Sequence, residues 1–457
     1  MLIMIKNIEE REMPEFVINI QNFIHSHAVA FSAGILILAY IFIAWEKISK
    51  VTIALLGAGI TILLGLVSQT KGHDVINPNY FINFVDFNVI FLLVSMMIIV
   101  HITSRSGVFT WIANELLKLT KGHPIKVFFT MTAFTAFTSA FLDNVTTVIL
   151  MLPIIFVIAK KFEMTPVPLL IGTIMSSNIG GTATLIGDPP NIIIGSRAGF
   201  SFMDFLNELT PIVTIIYFIC MGILLFLFRK TFVATPEKMA EVANIDNSKT
   251  ITNKTLMIRS MIVLGLVIFG FITHDITHLE TYICAMLGAS FLLIFETPDE
   301  ILKDVEWNTI FFFIGLFIII GGLEASGGIK LMAQWLLDIT NGNESLTAMV
   351  ILWGSGLLSG IIDNIPYTAT MAPLIQQISV IEGTQAAFPL WWCLSLGACL
   401  GGNMTIIGAA ANVIVSETSA AKGHKIPFVY YLKYGILITF VSLILCSIYV
   451  WLRFLMH

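Results

Sequence analysis

The chain has 457 residues, of which 57% are hydrophobic and only 12% charged, about half the charged share of an ordinary soluble domain. With repeated uncharged runs of about 20 residues, it reads as an integral membrane protein rather than a soluble one. The formal net charge of −5 is small for the length, and no basic tail or patch is present, which argues against a nucleic acid partner.

Residues 1–27 mix Lys6, Glu9, Glu10, Arg11, Glu12 and Glu15 with apolar side chains. They lack the basic region, apolar core and small-residue cleavage site of a signal peptide, and they fit a short surface helix. Apolar segments follow at 29–46, 51–68, 87–104, 127–159, 166–196 and 205–228. A polar, cytoplasmic linker at 231–253 interrupts them, and further segments run over 254–273, 279–296, 307–323, 346–381, 386–416 and 428–452. The linker is too short for a nucleotide-binding domain, and no GxxxxGK[ST] motif occurs. No ATPase is therefore required, and an ion gradient is the expected energy source. The five cysteines, Cys220, Cys284, Cys393, Cys399 and Cys446, all lie in apolar segments without a CxxC pair. They read as small buried hydrophobes and not as a thiolate site for arsenite.

The two halves repeat. With a shift of 220 residues, Asn88 and Phe91 meet Asn308 and Phe311, Ser106-Gly107 meets Ser326-Gly327, and Gly122 meets Gly342. Ser139 meets Ser359, and Asp143-Asn144 meets Asp363-Asn364. One inserted residue then brings Gly180-Gly181 over Gly401-Gly402, Gly187 over Gly408 and Asn191 over Asn412. Repeat 1 spans 28–230 and repeat 2 spans 254–457. Each holds an odd number of crossings, so the second copy runs upside down, as in secondary transporters with a site at the repeat interface. Lys47, Lys50, Lys118, Lys121, Lys126, Lys160, Lys161, Arg229, Lys230, Lys422 and Lys425 can share one side. That side is the cytoplasm by the positive-inside rule, which puts both termini outside.

The chemistry concentrates where polar residues interrupt apolar runs. The segment 127–159 is too short for two crossings and carries Asp143-Asn144 in its middle, so it predicts a re-entrant hairpin. Segment 346–381 does the same with Asp363-Asn364, and Pro366 helps to break the helix there. An aspartate at the bilayer centre costs roughly 2.5–3.5 kcal/mol. Two of them at equivalent points suit a site for a hard cation such as Na⁺. The runs Ser176 to Asn191 and Gly401 to Asn412 predict discontinuous helices within 166–196 and 386–416. The first carries Asp188 where the second has Ala409. His101 and Glu324 read as interfacial or structural, and 108–119 and 328–339 as short amphipathic helices between spans.

The runs Ser139-Ala140-Phe141-Leu142-Asp143-Asn144-Val145-Thr146-Thr147 and Gly180-Gly181-Thr182-Ala183-Thr184-Leu185-Ile186-Gly187-Asp188-Pro189-Pro190-Asn191 resemble signatures of the ArsB/NhaD permease family, nearest to NhaD-type sodium/proton antiporters. The resemblance covers nearly the whole chain from about residue 30. It implies the ion transporter superfamily fold: an all-α polytopic membrane protein of two inverted repeats, each with a re-entrant helical hairpin and a discontinuous helix. It also implies a homodimer and elevator-type movement in the inner membrane. Related dicarboxylate carriers have a Ser-Asn-Thr motif at each tip. Here the tips carry Asp, which holds either Na⁺ or H⁺. The expectation is therefore a Na⁺(Li⁺)/H⁺ antiporter with no cofactor, exporting cytoplasmic Na⁺ in exchange for external H⁺. Asp143, Asn144, Asp188, Asp363 and Asn364 are the expected ion-binding and proton-coupling residues. Na⁺ is expected at Asp143, Asn144, Asn178, Asp363 and Asn364, with Thr147, Ser177, Asn178, Thr182, Asn191, Thr368, Asn403 and Asn412 in support. The alternative is a Na⁺-coupled organic anion symporter, or an arsenite/anion permease, of the same fold. No Arg or Lys lies near either tip to favour it.

Overall fold

The computed structural model describes residues 15–45, 47–67 and 80–456. Among these, every regular element is helical. Eight helices are long and apolar enough to cross a membrane: Ala28–Trp45, Phe87–Arg105, Asn144–Phe162, Phe202–Phe228, Lys254–Ile272, Trp307–Ala325, Glu344–Ile362 and Phe428–Leu455. A helix runs over Glu15–Ser26 within the segment expected to form a short surface helix, and residues 1–14 of that segment lie outside the described residues.

The chain divides into two compact units, which interleave the two halves read from the sequence. One is built from Met1–Asp86 and Phe311–Met332, the other from Phe87–Ile310 and Ala333–His457. In the first unit the Ala28–Trp45 and Lys50–Leu63 helices pack together, and small residues allow close contact. The backbone of Ala54 meets Gly315, Thr61 meets Gly322, and Ser32 Oγ donates to the Gly322 carbonyl at 3.1 Å. Without a strong hydrophobic drive between helices in lipid, this fit of small residues is what brings them together.

The second unit holds both hairpins and both broken helices. Hairpin 1 is Pro124–Ser139 and Asn144–Phe162; hairpin 2 is Glu344–Ile362 and Asn364–Glu382. The outer arms begin 220 residues apart, as do the inner arms. The arms are longer than half-crossings. Three of them, Asn144–Phe162, Glu344–Ile362 and Asn364–Glu382, have 19 residues each, about 28 Å of helix against a hydrocarbon core of about 30 Å. The apolar run understates them because the helix continues through Lys160-Lys161 until Glu163 turns left-handed at φ 51°.

Each hairpin turns on an aspartate. Asp143 caps its helix, with Oδ1 accepting from Thr146 N at 2.8 Å and Oδ2 from Thr146 Oγ1 at 2.6 Å. Asp363 caps from a strained backbone, φ 102°, with Oδ1 accepting from Ile365 N at 3.2 Å. Such a φ costs a non-glycine residue about 1–3 kcal/mol. The break lies at Asp363 and not at Pro366, which sits in the first turn where its missing N–H is tolerated.

The first discontinuous helix is Val167–Gly181, a break, and Pro189–Ala198; the second is Thr384–Gly401, a break, and Ala410–Ala421. The repeated glycines let the two ends of each break touch. A Cβ on Gly187 would lie 2.5 Å from the Gly181 carbonyl oxygen and 2.7 Å from that of Ser139. A Cβ on Gly408 would lie 2.7 Å from the Gly402 oxygen. Gly187→Ala therefore presses a methyl against rigid backbone, and overpacking of this kind costs about 1–3 kcal/mol. The purified variant is expected to melt several degrees below the parent in detergent. Gly222→Ala, with nothing within 4 Å of its Cβ, is expected to melt with the parent.

Candidate functional site

Buried breaks expose carbonyls that a membrane interior cannot hydrate, and one asparagine per break satisfies them. Asn191 Nδ2 donates to the carbonyls of Thr182 at 3.1 Å and Thr184 at 2.8 Å. Asn412 Nδ2 donates to those of Gly402 at 2.7 Å and Thr405 at 2.9 Å. Both asparagines are fully buried. Expected as supporting ion ligands, they act instead as staples of the breaks. Their oxygens are engaged too: Asn191 Oδ1 accepts from Ser395 Oγ at 2.6 Å, and Asn412 Oδ1 from Asn178 Nδ2 at 3.0 Å.

The remaining side chains link hairpin tips to breaks. Ser139 Oγ donates to Asn144 Oδ1 at 2.8 Å and lies 3.1 Å from Ser177 Oγ. Asn144 Nδ2 donates to Asn178 Oδ1 at 3.3 Å, and Asn178 Nδ2 in turn to Asn403 Oδ1 at 3.0 Å. Asn178 thus joins the tip of hairpin 1 to both breaks. Across the unit, Asn364 Nδ2 from the tip of hairpin 2 donates to both oxygens of Asp188, each at 3.2 Å. Thr182 and Thr368 bond back to the carbonyls of Asn178 and Asn364, both at 2.8 Å. Thr147 Oγ1 and Asn403 Nδ2 are buried and have no hydrogen-bond partner among the described residues.

A cavity of about 60 Å³ opens among these elements. It is lined by Asp143, Asn144, Asp188 and Asn364, and also by Glu306 and Thr309. Of the five expected coupling residues, four meet here. The fifth, Asp363, is 2% exposed and not among the lining residues; its carboxylate is turned onto its own hairpin turn. Neither Asn178 nor any of the other supporting residues lines the cavity. Glu306 was not expected, because it ends an acidic stretch that reads as a loop. The one signal was its alignment with Asp86 at the shift of 220 residues.

Five helices start at this cavity: Asn144–Phe162, Pro189–Ala198, Trp307–Ala325, Asn364–Glu382 and Ala410–Ala421. Each start carries about +0.5 of an elementary charge. Asp143, Asp188, Glu306 and Asp363 precede four of them, while Ala409 precedes the fifth. Asp188 makes no side-chain capping bond. No Lys or Arg lines the cavity. Of the positions read as interfacial or structural, His101 lies with its Nε2 2.9 Å from Asp304 Oδ2. All five cysteines are buried and unpaired.

The sequence profile of the citrate transporter family, CitMHS, matches residues 40–397. The chain is 39% identical over 424 residues to the 46 kDa membrane protein of Mycobacterium leprae, covering 92% of this chain and 98% of that protein. It is 29% identical over 447 residues to the uncharacterized transporter slr0753 of Synechocystis, covering 93% and 97%. With P protein of Sus scrofa it shares 29% over 487 residues, 89% of this chain and 57% of that protein. The solved structure of the YdaH transporter of Alcanivorax borkumensis superposes with a TM-score of 0.54, covering 94% of this chain and 98% of that one. At 11% identity this is a likeness of fold alone.

The Asn364–Asp188 contact yields a stability test. Asn364→Leu leaves a carboxylate that is 1% exposed without its amide donor, a loss of about 1–3 kcal/mol or more for a charged group. The detergent melting temperature is expected to fall by several degrees in Asn364→Leu. It should fall much less when Asp188→Asn is already present, because the two changes act through one contact.

Proposed function

The chain belongs to the CitMHS citrate transporter family, and from that premise we propose that it works as a Na⁺(Li⁺)/H⁺ antiporter. It is a multi-pass membrane protein and a secondary transporter, not an enzyme. The observation that carries the finer reading is the cavity lined by Asp143, Asp188 and Glu306 without a basic side chain.

Three lining carboxylates and the adjacent Asp363 bring four negative charges if all ionise. The five helix starts supply about +2.5 in partial charge. The deficit of about 1.5 charges is met by protons or by small cations, since enclosed carboxylates do not stay ionised unpaired. A site that takes either H⁺ or Na⁺ on the same oxygens makes the two compete, and competition at a site of alternating access is antiport. Oxygen ligands suit Na⁺ and Li⁺. In this reading the hairpins and broken helices carry the loaded site across the inner membrane in an elevator-type step. The chain works as a homodimer with both termini outside, and cytoplasmic Na⁺ leaves as external H⁺ enters.

The family's description raises a second reading, in which citrate or another organic anion travels with a cation. One feature favours it: the Ala410–Ala421 helix starts at the cavity behind Ala409, a residue with no capping group, and such a start attracts anions. Against it, a free carboxylate would face three others. The cavity of about 60 Å³ has room for a few waters, at roughly 10–15 Å³ each, and not for a tricarboxylate.

Everted membrane vesicles carrying a pH-sensitive dye decide between the two. Na⁺ or Li⁺ is expected to dequench the dye, K⁺ and citrate are not, and Asp143→Asn should abolish the response with the folded protein still present in the membrane. No response to Na⁺ or Li⁺ from neutral to alkaline pH would sink antiport. A response that needs citrate would establish the second reading.

A further inference from the structure

Glu306 belongs to none of the motifs, yet it faces the same cavity as Asp143 and Asp188. It stands just before the helix Trp307–Ala325, where an acidic side chain ordinarily caps the free N–H groups of the first turn. Its main-chain carbonyl does accept from Thr309 N at 2.9 Å and Ile310 N at 3.2 Å. Its carboxylate does something else. Among the described residues its hydrogen-bond donor is the Thr309 hydroxyl, at 3.0 Å from Oε2, and Thr309 lines the cavity as well.

Two acidic neighbours of Glu306 have nitrogen partners: Asp304 Oδ2 lies 2.9 Å from His101 Nε2, and Glu300 pairs with Arg105 at 3.4 Å. Glu306 is more enclosed than either and has no cationic partner among the described residues. The charged groups that share its cavity are carboxylates. Both oxygens of Asp143 already accept a bond from Thr146, which leaves that carboxylate with reduced capacity to surround a cation alone. A small hard cation gathers about six oxygens, so a second carboxylate in the lining, with the Thr309 hydroxyl beside it, adds to what Asp143 begins.

We infer that Glu306 is a further cation-binding residue of the transport site, holding the cation together with Asp143 and setting the affinity for it. This rests on the cation-exchange reading above. Glu306 comes from a helix start outside both hairpins and both breaks, so a shift of the hairpin 1 tip away from it would loosen the grip on the cation. Glu306 thereby ties cation release to movement of the tip.

The test is the Na⁺ dependence of the vesicle response at fixed pH in Glu306→Gln and Glu306→Asp. Glu306→Gln is expected to raise the half-saturating Na⁺ concentration about tenfold, the effect of about 1.4 kcal/mol, with the maximal response retained. Glu306→Asp should fall between it and the parent. Unchanged half-saturation in Glu306→Gln, or a lower maximum at unchanged half-saturation, overturns the assignment. Calorimetric titration of the purified proteins with Na⁺ separates this inference from the antiport reading. If the parent binds Na⁺ without moving protons and Glu306→Gln binds about tenfold more weakly, antiport fails and Glu306 stands. If the parent and the variant bind equally, or neither binds, the role of Glu306 fails.

Discussion

Carboxylates enclosed without a basic partner are the constraint on which the rest of the site depends. A chain that is 12% charged places Asp143, Asp188 and Glu306 around one small cavity and adds no Lys or Arg to its lining. Isolated, each would be driven to its neutral form by its surroundings. What makes the arrangement tenable is backbone rather than side chain: five helices start at the cavity, each bringing partial positive charge. Four of those starts exist because two hairpins turn and two helices break there. The fold thus brings partial positive charge to the cavity without placing a cationic side chain in its lining.

Breaking a helix inside a membrane protein carries its own cost, since each lost intrahelical bond strands a carbonyl. Asn191 and Asn412 meet that cost in the same way, each bridging two carbonyls of its own break. Glycine at 181 and 187 lets the two ends of the first break come close enough for one amide to span them. The two copies share this scaffolding and differ in chemistry. Ser139 binds the side chain of Asn144, whereas its counterpart Ser359 donates to the Ala398 carbonyl at 2.9 Å. Asp188 meets the cavity where Ala409 stands in the second copy. The tip of hairpin 2 contributes Asn364 to the cavity but keeps Asp363 in its own strained turn. The charged half of the site therefore comes from the first copy and from Glu306, and the second copy supplies an amide and an uncapped helix start.

The features legible in the sequence are those that violate a local rule. A carboxylate in the middle of an apolar run, as at Asp143 or Asp363, stands out against its neighbours. A cluster such as Gly180 to Asn191 cannot continue as a helix. The membrane class, the position of the breaks and most of the cavity-lining residues follow from such violations. What is not legible depends on three-dimensional proximity. Asn191 and Asn412 resemble ion ligands in sequence; only the path of the chain brings each amide back to carbonyls seven to ten residues earlier. Glu306 is the opposite case. It follows Asp299, Glu300 and Asp304 in a stretch of ordinary loop composition, and no local rule marks it as different from them. Helix length was underestimated for a related reason, because Lys160 and Lys161 end the apolar run without ending the helix.

Membership of a family described by citrate transport and a cavity rich in carboxylates can be reconciled through charge. An anion carrier must neutralise its cargo, and it can do so with basic side chains or with a co-transported cation. The lining of this cavity includes no basic side chain, which leaves the second route. The cation binding proposed at Asp143, Asp188 and Glu306 is then common to both activities. In an antiporter the cation is the whole cargo and the proton its competitor. In a symporter the same cation would bridge these carboxylates to those of the anion, with the helix start behind Ala409 as a further anchor. The residues that separate the two are not the aspartates, which both need, but the groups that would have to admit and hold the anion. The cavity as shaped here, at about 60 Å³, is the size of a few waters, which fits the proposed small cation and leaves a tricarboxylate no room.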